Sequence, residues 1–413
     1  MALTWMPSRN RTRFAKAVRL ALCVIASAAL LSCQQAESHA SSQELLYILD
    51  SDWSRSDSHA QLLVVDPQRK VIVKKYQPAN LFDFALSADG RRLFLAHGEG
   101  SPQGDGEQLD VMDTANGAVL ATVSDPNPWV TMGPYRDSGM TLSADGRWLY
   151  VYKLTPGAEH TVSENVAIFD TSNNKFLPET VAMPECGGAI LLPWPNGRAL
   201  SVICGTTQEL RTVQFNDQGV PLTPLPTSVS VPHDWGRRRV ATAFVSGTNE
   251  LTVLMTDGHY SRVNVQTGAM AQEGDIVFSP ALTPAGWHPT TPGAEHVPSL
   301  GRRFIGSSVD KSQDRLYIPL CRSDLYMHAA DALAVVNANT MQQENFFELK
   351  SSFWKPSWNL FKNATVGDNG NRLYLLGMEA KNGNVRVLSL PDGKEINRIE
   401  GIGATPTMLV RSP

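Results

Sequence analysis

From residue 44 onward the chain alternates short apolar runs with turn signals, and almost no segment holds a helical period beyond about two turns. A unit in two halves recurs. The first half is an apolar strand ending in Asp or Asn, a turn, and a second strand. It reads "LLVVDPQRKVIV" (62–73), "LDVMDTANGAVLATV" (109–123), "VAIFDTSNNKFL" (166–177), "RTVQFNDQGVPL" (211–222), "SRVNVQTGAMA" (261–271), "LAVVNANTMQQ" (333–343) and "VRVLSLPDGKEI" (385–396). That makes seven copies. The second half is a Ser-x-Asp-Gly-type turn feeding a strand, closest in "LSADGRRLFLAHG" (86–98) and "LSADGRWLYVYK" (142–153). Looser forms are "WPNGRALSVIC", "SGTNELTVLMTDG", "SQDRLYIPLC" and "GDNGNRLYLLG". Asp-Gly and Asn-Gly supply the positive φ that tight hairpin turns need. Alternation such as Arg147-Trp148-Leu149-Tyr150-Val151-Tyr152 suits strands packed between sheets.

The strand-end markers Asp66, Asp113 and Asp170 lie 47 and 57 residues apart. Repeats near that length, with about four strands each, predict propeller blades. The expectation is an all-β, seven-bladed β-propeller over 44–413, about 53 residues per blade. The run "ELLYILD" (44–50) precedes the first full unit and is expected to close the ring by pairing with the C-terminal blade. The competing architecture is a two-domain all-β protein.

The first 32 residues stand apart from this pattern. Arg9, Arg11, Arg13, Lys16 and Arg19 form a basic region without acids, and Leu20 to Leu31 is an apolar run too short to span a bilayer comfortably. It ends in Leu30-Leu31-Ser32-Cys33, which resembles a bacterial lipobox. Residues 1–32 therefore read as a lipoprotein-type signal peptide, Cys33 as the lipidated first residue of the mature chain, and 33–43 as a polar linker. An ordinary cleaved signal or an uncleaved anchor are the alternatives. Gln34 follows the cysteine rather than Asp, so retention at the inner membrane is not indicated. The expected location is the periplasm, with a lipid anchor in the outer membrane of a Gram-negative host.

Composition changes the picture in two ways. The chain is 42% hydrophobic and 18% charged, the balance of a packed protein. Removing the signal takes away five cations, leaving 31 basic against 40 acidic residues and a net charge of −9. An acidic body argues against nucleic acid as a partner.

Candidate chemistry is sparse. The nine histidines are scattered without metal-ligand spacing, and no HExxH, phosphate-binding loop, dinucleotide fingerprint or nucleophile elbow occurs. Most acids stand at strand–turn corners, where they cap turns. The loops "SDWSRSDSH" (51–59) and "GEGSPQGDGEQ" (98–108) gather polar groups of the kind that bind ligands on one face of a propeller, although the second reads first as a solvated linker. Tryptophans such as Trp148, Trp194, Trp287, Trp354 and Trp358 fall where core and inter-blade packing needs them.

Export leaves Cys186, Cys204 and Cys321 in an oxidising compartment. The stretch "PECGGAILLPWPNGRALSVICG" (184–205) puts Cys186 and Cys204 at the ends of one predicted hairpin. A zinc site needs two more ligands, and a redox pair is normally C-x-x-C. The Pro-Asn-Gly turn instead folds two antiparallel strands together, with facing Cα atoms roughly 4.5–5.5 Å apart, so a structural disulfide is expected. Cys321, at a strand end, is expected as a buried free thiol.

The phrases "LDVMDTANGAVL", "GPYRDSGMTLSADGRWLYVYKLTPG", "VAIFDTSNNKF" and "PECGGAILLPWPNGRALSVICGTTQELRTVQFNDQG" occur in this order, and residues 110–222 resemble the heavy subunit of the quinoprotein amine dehydrogenases. "LYILDSDW" (46–53), "GWHP" (286–289), "DRLYI" (314–318) and "MHAADALAVVNANT" (327–340) match more loosely, so the likeness covers most of the mature chain. It implies a seven-bladed propeller without a cofactor or catalytic residue of its own. The tryptophan tryptophylquinone would sit on a small, cysteine-rich light subunit, and a blue-copper protein would accept the electrons. The activity implied is oxidative deamination of primary amines. Trp53 stands in the loop from which the family lines its substrate channel with an aromatic residue. The chain departs from the family in its lipobox, in the loop after Trp53, and in Asn337, where Asp is usual. Two other readings stand beside it: a lipid-anchored propeller that binds a partner or ligand without a catalytic subunit, and a propeller enzyme acting alone, such as a lactonase or a quinone-dependent dehydrogenase.

Overall fold

The structure is a computed structural model. It describes the chain from Glu44 onward except segments 51–59, 79–80, 99–107, 125–129, 132–138, 157–161, 188, 205–206, 208, 223–226, 230–239, 247–248, 256–257, 286, 289–307, 311–314, 323–328, 355–363, 368–369, 380–381, 391, 405 and 413. Glu44–Pro413 is one compact unit.

Seven antiparallel blades follow one another along the chain. Blade 2 shows the plan, running Asp83–Leu86, Arg92–His97, Gln108–Asp113 and Val119–Ser124 from the inner to the outer strand. Blade 3 is built on Trp148–Pro156, blade 4 on Ala199–Cys204, blade 5 on Glu250–Met255, blade 6 on Arg315–Arg322 and blade 7 on Arg372–Glu379, each as second strand. Blades 6 and 7 also touch edge to edge through the Trp354–Met378 pair.

Blade 1 closes the ring. Leu46–Asp50, Gln61–Asp66 and Val71–Tyr76 supply three strands, and the C-terminal strand Pro406–Arg411 pairs with the first of them. The register runs Leu46 to Arg411 and Leu49 to Met408. The predicted closure is thus present, as one C-terminal strand completing an N-terminal blade. It leaves no open edge at the ring's seam.

The two halves of the sequence repeat correspond to two hairpins of each blade. The first is the third strand, its turn and the outer strand. Its marker side chain accepts backbone N–H groups from the turn: Asp66 from Gln68 and Arg69, Asp113 from Ala115 and Asn116, Asn264 from Gln266 and Thr267, Asn337 from Asn339 and Thr340. Asn337 therefore does the work of an Asp, because only an oxygen acceptor is required. Four residues after the marker the backbone takes positive φ, at Gly117, Gly268 and Gly393 but also at Lys70, Asn174 and Met341. The second half is the turn between first and second strands. There the Ser87 and Ser143 hydroxyls donate to Asp89 and Asp145, whose carboxylates accept the Arg91 and Arg147 amides. Hydrogen bonds from Ser87 and from that amide hold Asp89 below the usual carboxylate range.

Alternate strand residues face opposite neighbours, so each blade contributes to two apolar layers. Seven such clusters lie between successive blades around the ring. Ile203 packs toward blade 5 while Cys204 packs toward blade 3. Trp148, Trp194 and Trp287 are buried in these layers, the packing role read for them in the sequence.

Candidate functional site

The residues singled out in the sequence divide sharply. Cys33 and Trp53 lie outside the described residues, as does most of the loop 98–108. Cys321 lies in the strand Arg315–Arg322, opposite His288, and its side chain is outside the described part. Cys186 and Cys204 form a disulfide.

Their setting differs in one respect from the expected hairpin ends. Cys204 ends the second strand of blade 4, and its strand partner is Ala189. Cys186 lies upstream, in the connection arriving from blade 3, and folds back to bring the two Cα atoms within 4.5 Å. Positive φ at Glu185 and Gly187 makes that fold. The carboxylate of Glu164 in blade 3 accepts the amides of Cys186 (2.5 Å) and Gly187 (3.0 Å). Buried Arg211 donates to the Pro184 carbonyl at 3.0 Å and pairs with Glu209 at 2.7 Å. The disulfide therefore closes a corner in which blades 3 and 4 are joined by backbone-directed charge as well as by apolar contact.

Two further carboxylates on this loop-bearing face hold the connections between blades. Asp83 accepts the Gly139 amide at 2.8 Å, and Asp50 accepts Gln61 Nε2 at 2.9 Å and the Ala404 amide at 3.2 Å. Nearby, His97 Nε2 lies 3.0 Å from Asp110, which also accepts the Thr122 hydroxyl at 2.6 Å. Burial pushes the Asp110 carboxyl upward, but the nearby His97 ring and the Thr122 hydrogen bond outweigh it and leave the group below its ordinary value. Carboxylates held by fixed donors in this way tie structure together, and Asp110 is lowered rather than raised toward neutrality as a general acid would be.

The opposite face carries the short turns. Around much of the ring a cation of one blade donates to carbonyls in the third-to-outer turn of the next. Lys74 Nζ reaches Thr114 and Ala115 O at 2.7 and 2.8 Å, and Arg92 reaches Thr171 O. Arg147 reaches Asp217 O at 2.8 Å, and Arg262 reaches Ala338 O at 3.0 Å. At the junction of blades 4 and 5 the pattern breaks. Arg198, in the same turn position as Arg147, pairs at 2.8 Å with Asp217 of its own blade, both side chains about two-thirds exposed. A cleft of about 720 Å³ opens there. Its walls carry Arg198, Asp217, Asn249 and Gln266, and its apolar lining includes Phe215 and Leu222. A surface ion pair of this kind is worth under about 1 kcal/mol, so the guanidinium is readily redirected to a ligand. The cleft can recognise a carboxylate- or carbonyl-bearing molecule with an apolar body; no nucleophile–base pair lines it.

Among the described residues no cluster of three or more His, Cys, Asp or Glu is placed to hold a metal ion. Sequence reasoning missed Glu164, Arg211 and the Arg198–Asp217 pair. Only the Arg after Gly in both "ADGR" and "PNGR" hinted at the last of these.

No protein-family model and no curated protein matches the chain. Solved structures do match. A "putative 6-phosphogluconolactonase" from Bacteroides fragilis is 13% identical over 90% of this chain and 99% of its own, with a TM-score of 0.55. The dihydro-heme d1 dehydrogenase NirN, in complex with DHE, is 13% identical over 89% of this chain and 74% of its own, with a TM-score of 0.50. The β-propeller domain of Cps50 (Swd1) from Myceliophteria thermophila is 12% identical over 80% of this chain and 90% of its own, also with a TM-score of 0.50. At these identities the likeness carries the propeller fold and nothing about activity.

Proposed function

We propose that the chain is the non-catalytic heavy subunit of an exported amine dehydrogenase, a propeller that scaffolds a small quinone-bearing light subunit and shapes its substrate channel. The supporting observation is the Cys186–Cys204 bond, which falls inside the stretch 184–205 that carries the resemblance, within a ring of seven blades. The partner's tryptophan tryptophylquinone would take electrons from a primary amine, releasing an aldehyde and ammonia, and a blue-copper protein would accept them. This chain's part is rigidity: backbone-directed carboxylates such as Glu164 and Asp83 fix one blade to the next, the frame on which a partner would rest. Purification of the chain from native periplasm or membranes tests the reading. The expected result is a co-purifying small cysteine-rich subunit and primary-amine-dependent dye reduction that the isolated chain lacks. Absence of both overturns it.

The second reading, a lipid-anchored binding propeller without a catalytic partner, is favoured by the cleft at Arg198. If the chain purifies alone, mass spectrometry of small molecules released on denaturation tests this reading. It requires a carboxylate- or carbonyl-bearing compound that is absent when Arg198→Ala is purified in the same way.

A further inference from the structure

In the outer strand of several blades one residue is bulged out of register just after the turn, so its side chain points away from the ladder. In blade 1 it is Val73, skipped between the pairs Val65–Ile72 and Val64–Lys74. In blade 2 it is Leu120 and in blade 7 it is Ile396. These three side chains are 38%, 51% and 53% exposed. The same position holds Glu344 in blade 6, where it pairs with Arg315, and Ala271 in blade 5. Exposed aliphatic bulges thus fall on three consecutive blades. Val71 and Val119 extend the strip between blades 1 and 2.

Two independent features coincide with the strip. The first is charge. Residues 67–76 read PQRKVIVKKY, four cations without an acid, on a mature chain of net charge −9. Arg69, Lys70 and Lys75 are exposed, while Lys74 is held by the Thr114 and Ala115 carbonyls. Among the described residues, the carboxylate near Arg69 is that of buried Asp66, at 4.0 Å. The second is the position of the tether. Leu46 pairs with Val65, and Val65 with Ile72, so the chain enters blade 1 two strands, or about 10 Å, from the bulge at Val73. Glu44 is fixed there by the Tyr374 hydroxyl and, at 3.6 Å, by Arg411. The eleven residue steps from Cys33 to Glu44 span at most about 40 Å.

We propose that the strip formed by Val73, Leu120 and Ile396, with Arg69, Lys70 and Lys75, rests on an anionic lipid surface and orients the anchored propeller. Aliphatic side chains enter the headgroup boundary, and lysines pair with lipid phosphates. The blade 4–5 cleft lies across the ring from it and stays open to solvent. The proposal rests on lipidation at Cys33 and is independent of the amine dehydrogenase reading.

The test uses the acylated mature chain in vesicles of phosphatidylethanolamine and phosphatidylglycerol, with lysine acylation read by mass spectrometry. The reference is the unacylated chain of residues 34–413 in buffer, which contains every strand of all seven blades. Labelling at Lys70 and Lys75 is expected to fall at least about threefold, with exposed Lys175 of blade 3 unchanged; equal labelling overturns the proposal. Intact mass of the mature chain reports acylation separately, and its absence removes the anchor and the proposal with it. The 34–413 chain is also expected to sediment with these vesicles, and about tenfold less when Leu120→Asp and Ile396→Asp are combined. Binding unchanged by both substitutions overturns the surface assignment. So does Lys70 protection that rises with protein concentration in the absence of lipid, which assigns the strip to a second copy of the chain.

Discussion

Reduction of Cys186–Cys204 gives a stability change that can be worked from the structure. The bond closes a segment of sequence separation 18. Loop-closure entropy for that length predicts a loss of about 3 kcal/mol when the bond opens. For a unit of this size the unfolding entropy near 60 °C is roughly 0.8 kcal/mol/K, so Tm should fall by about 4 °C. Both cysteines are buried in the apolar layer between blades 3 and 4, so Cys186→Ala with Cys204→Ala adds a small packing loss without burying a new hydroxyl. Scanning calorimetry of the oxidised, reduced and double-alanine proteins at one scan rate is the assay, since a chain this large is apt to unfold irreversibly. A fall of about 4 °C in the reduced protein, and somewhat more in the variant, is expected. No change on reduction refutes the reasoning, because the corner would then be held by Glu164 and Arg211 alone. A fall beyond about 10 °C refutes it in the other direction, because loop entropy cannot supply so much.

Gly219, at φ 78°, would place a Cβ 2.9 Å from the Trp148 ring, whereas Gly146, at φ 72°, has nothing within 4 Å. Gly219→Ala should cost about 2–4 kcal/mol in denaturant titrations and Gly146→Ala about 1 kcal/mol; equal costs would refute the contact with Trp148. Lys70 holds positive φ where three other blades use glycine, so Lys70→Gly should be neutral or stabilising by up to about 1 kcal/mol, and a clear loss of stability would contradict the turn geometry. Because the folded pKa of Asp110 is depressed, its contribution is full above the unfolded carboxylate pKa and fades as pH falls through the folded one. Asp110→Asn should therefore cost about 1–2 kcal/mol at pH 7 and progressively less toward acid, and a pH-independent difference would refute the ionised pairing.

What could be read ahead of the structure follows from how locally each feature is encoded. The blade repeat was legible because its turns are specified within a few residues. Asp66 and Asp113 accept amides two and three positions on, and Ser143 and Asp145 close their own hairpin. Even there, positive φ at Lys70, Asn174 and Met341 left no mark, since the turn imposes that conformation on whatever residue occupies it. The disulfide was legible from a Pro-Asn-Gly turn and two cysteines, but the position of Cys186 outside the strand depends on Glu164, 22 residues away, gripping backbone amides. Contacts between blades are harder still. Lys74, Arg92 and Arg147 reach carbonyls 40 to 79 residues downstream, and a carbonyl oxygen carries no residue identity to detect. Arg147 and Arg198 follow glycine in equivalent turns, yet one ties its blade to the next and the other turns back to Asp217. The choice rests on a surface ion pair worth less than about 1 kcal/mol, far below what a sequence pattern can resolve. The cleft is the consequence of that choice. It lies where a repeated tie is missing, so it becomes visible only when neighbouring blades are compared in three dimensions.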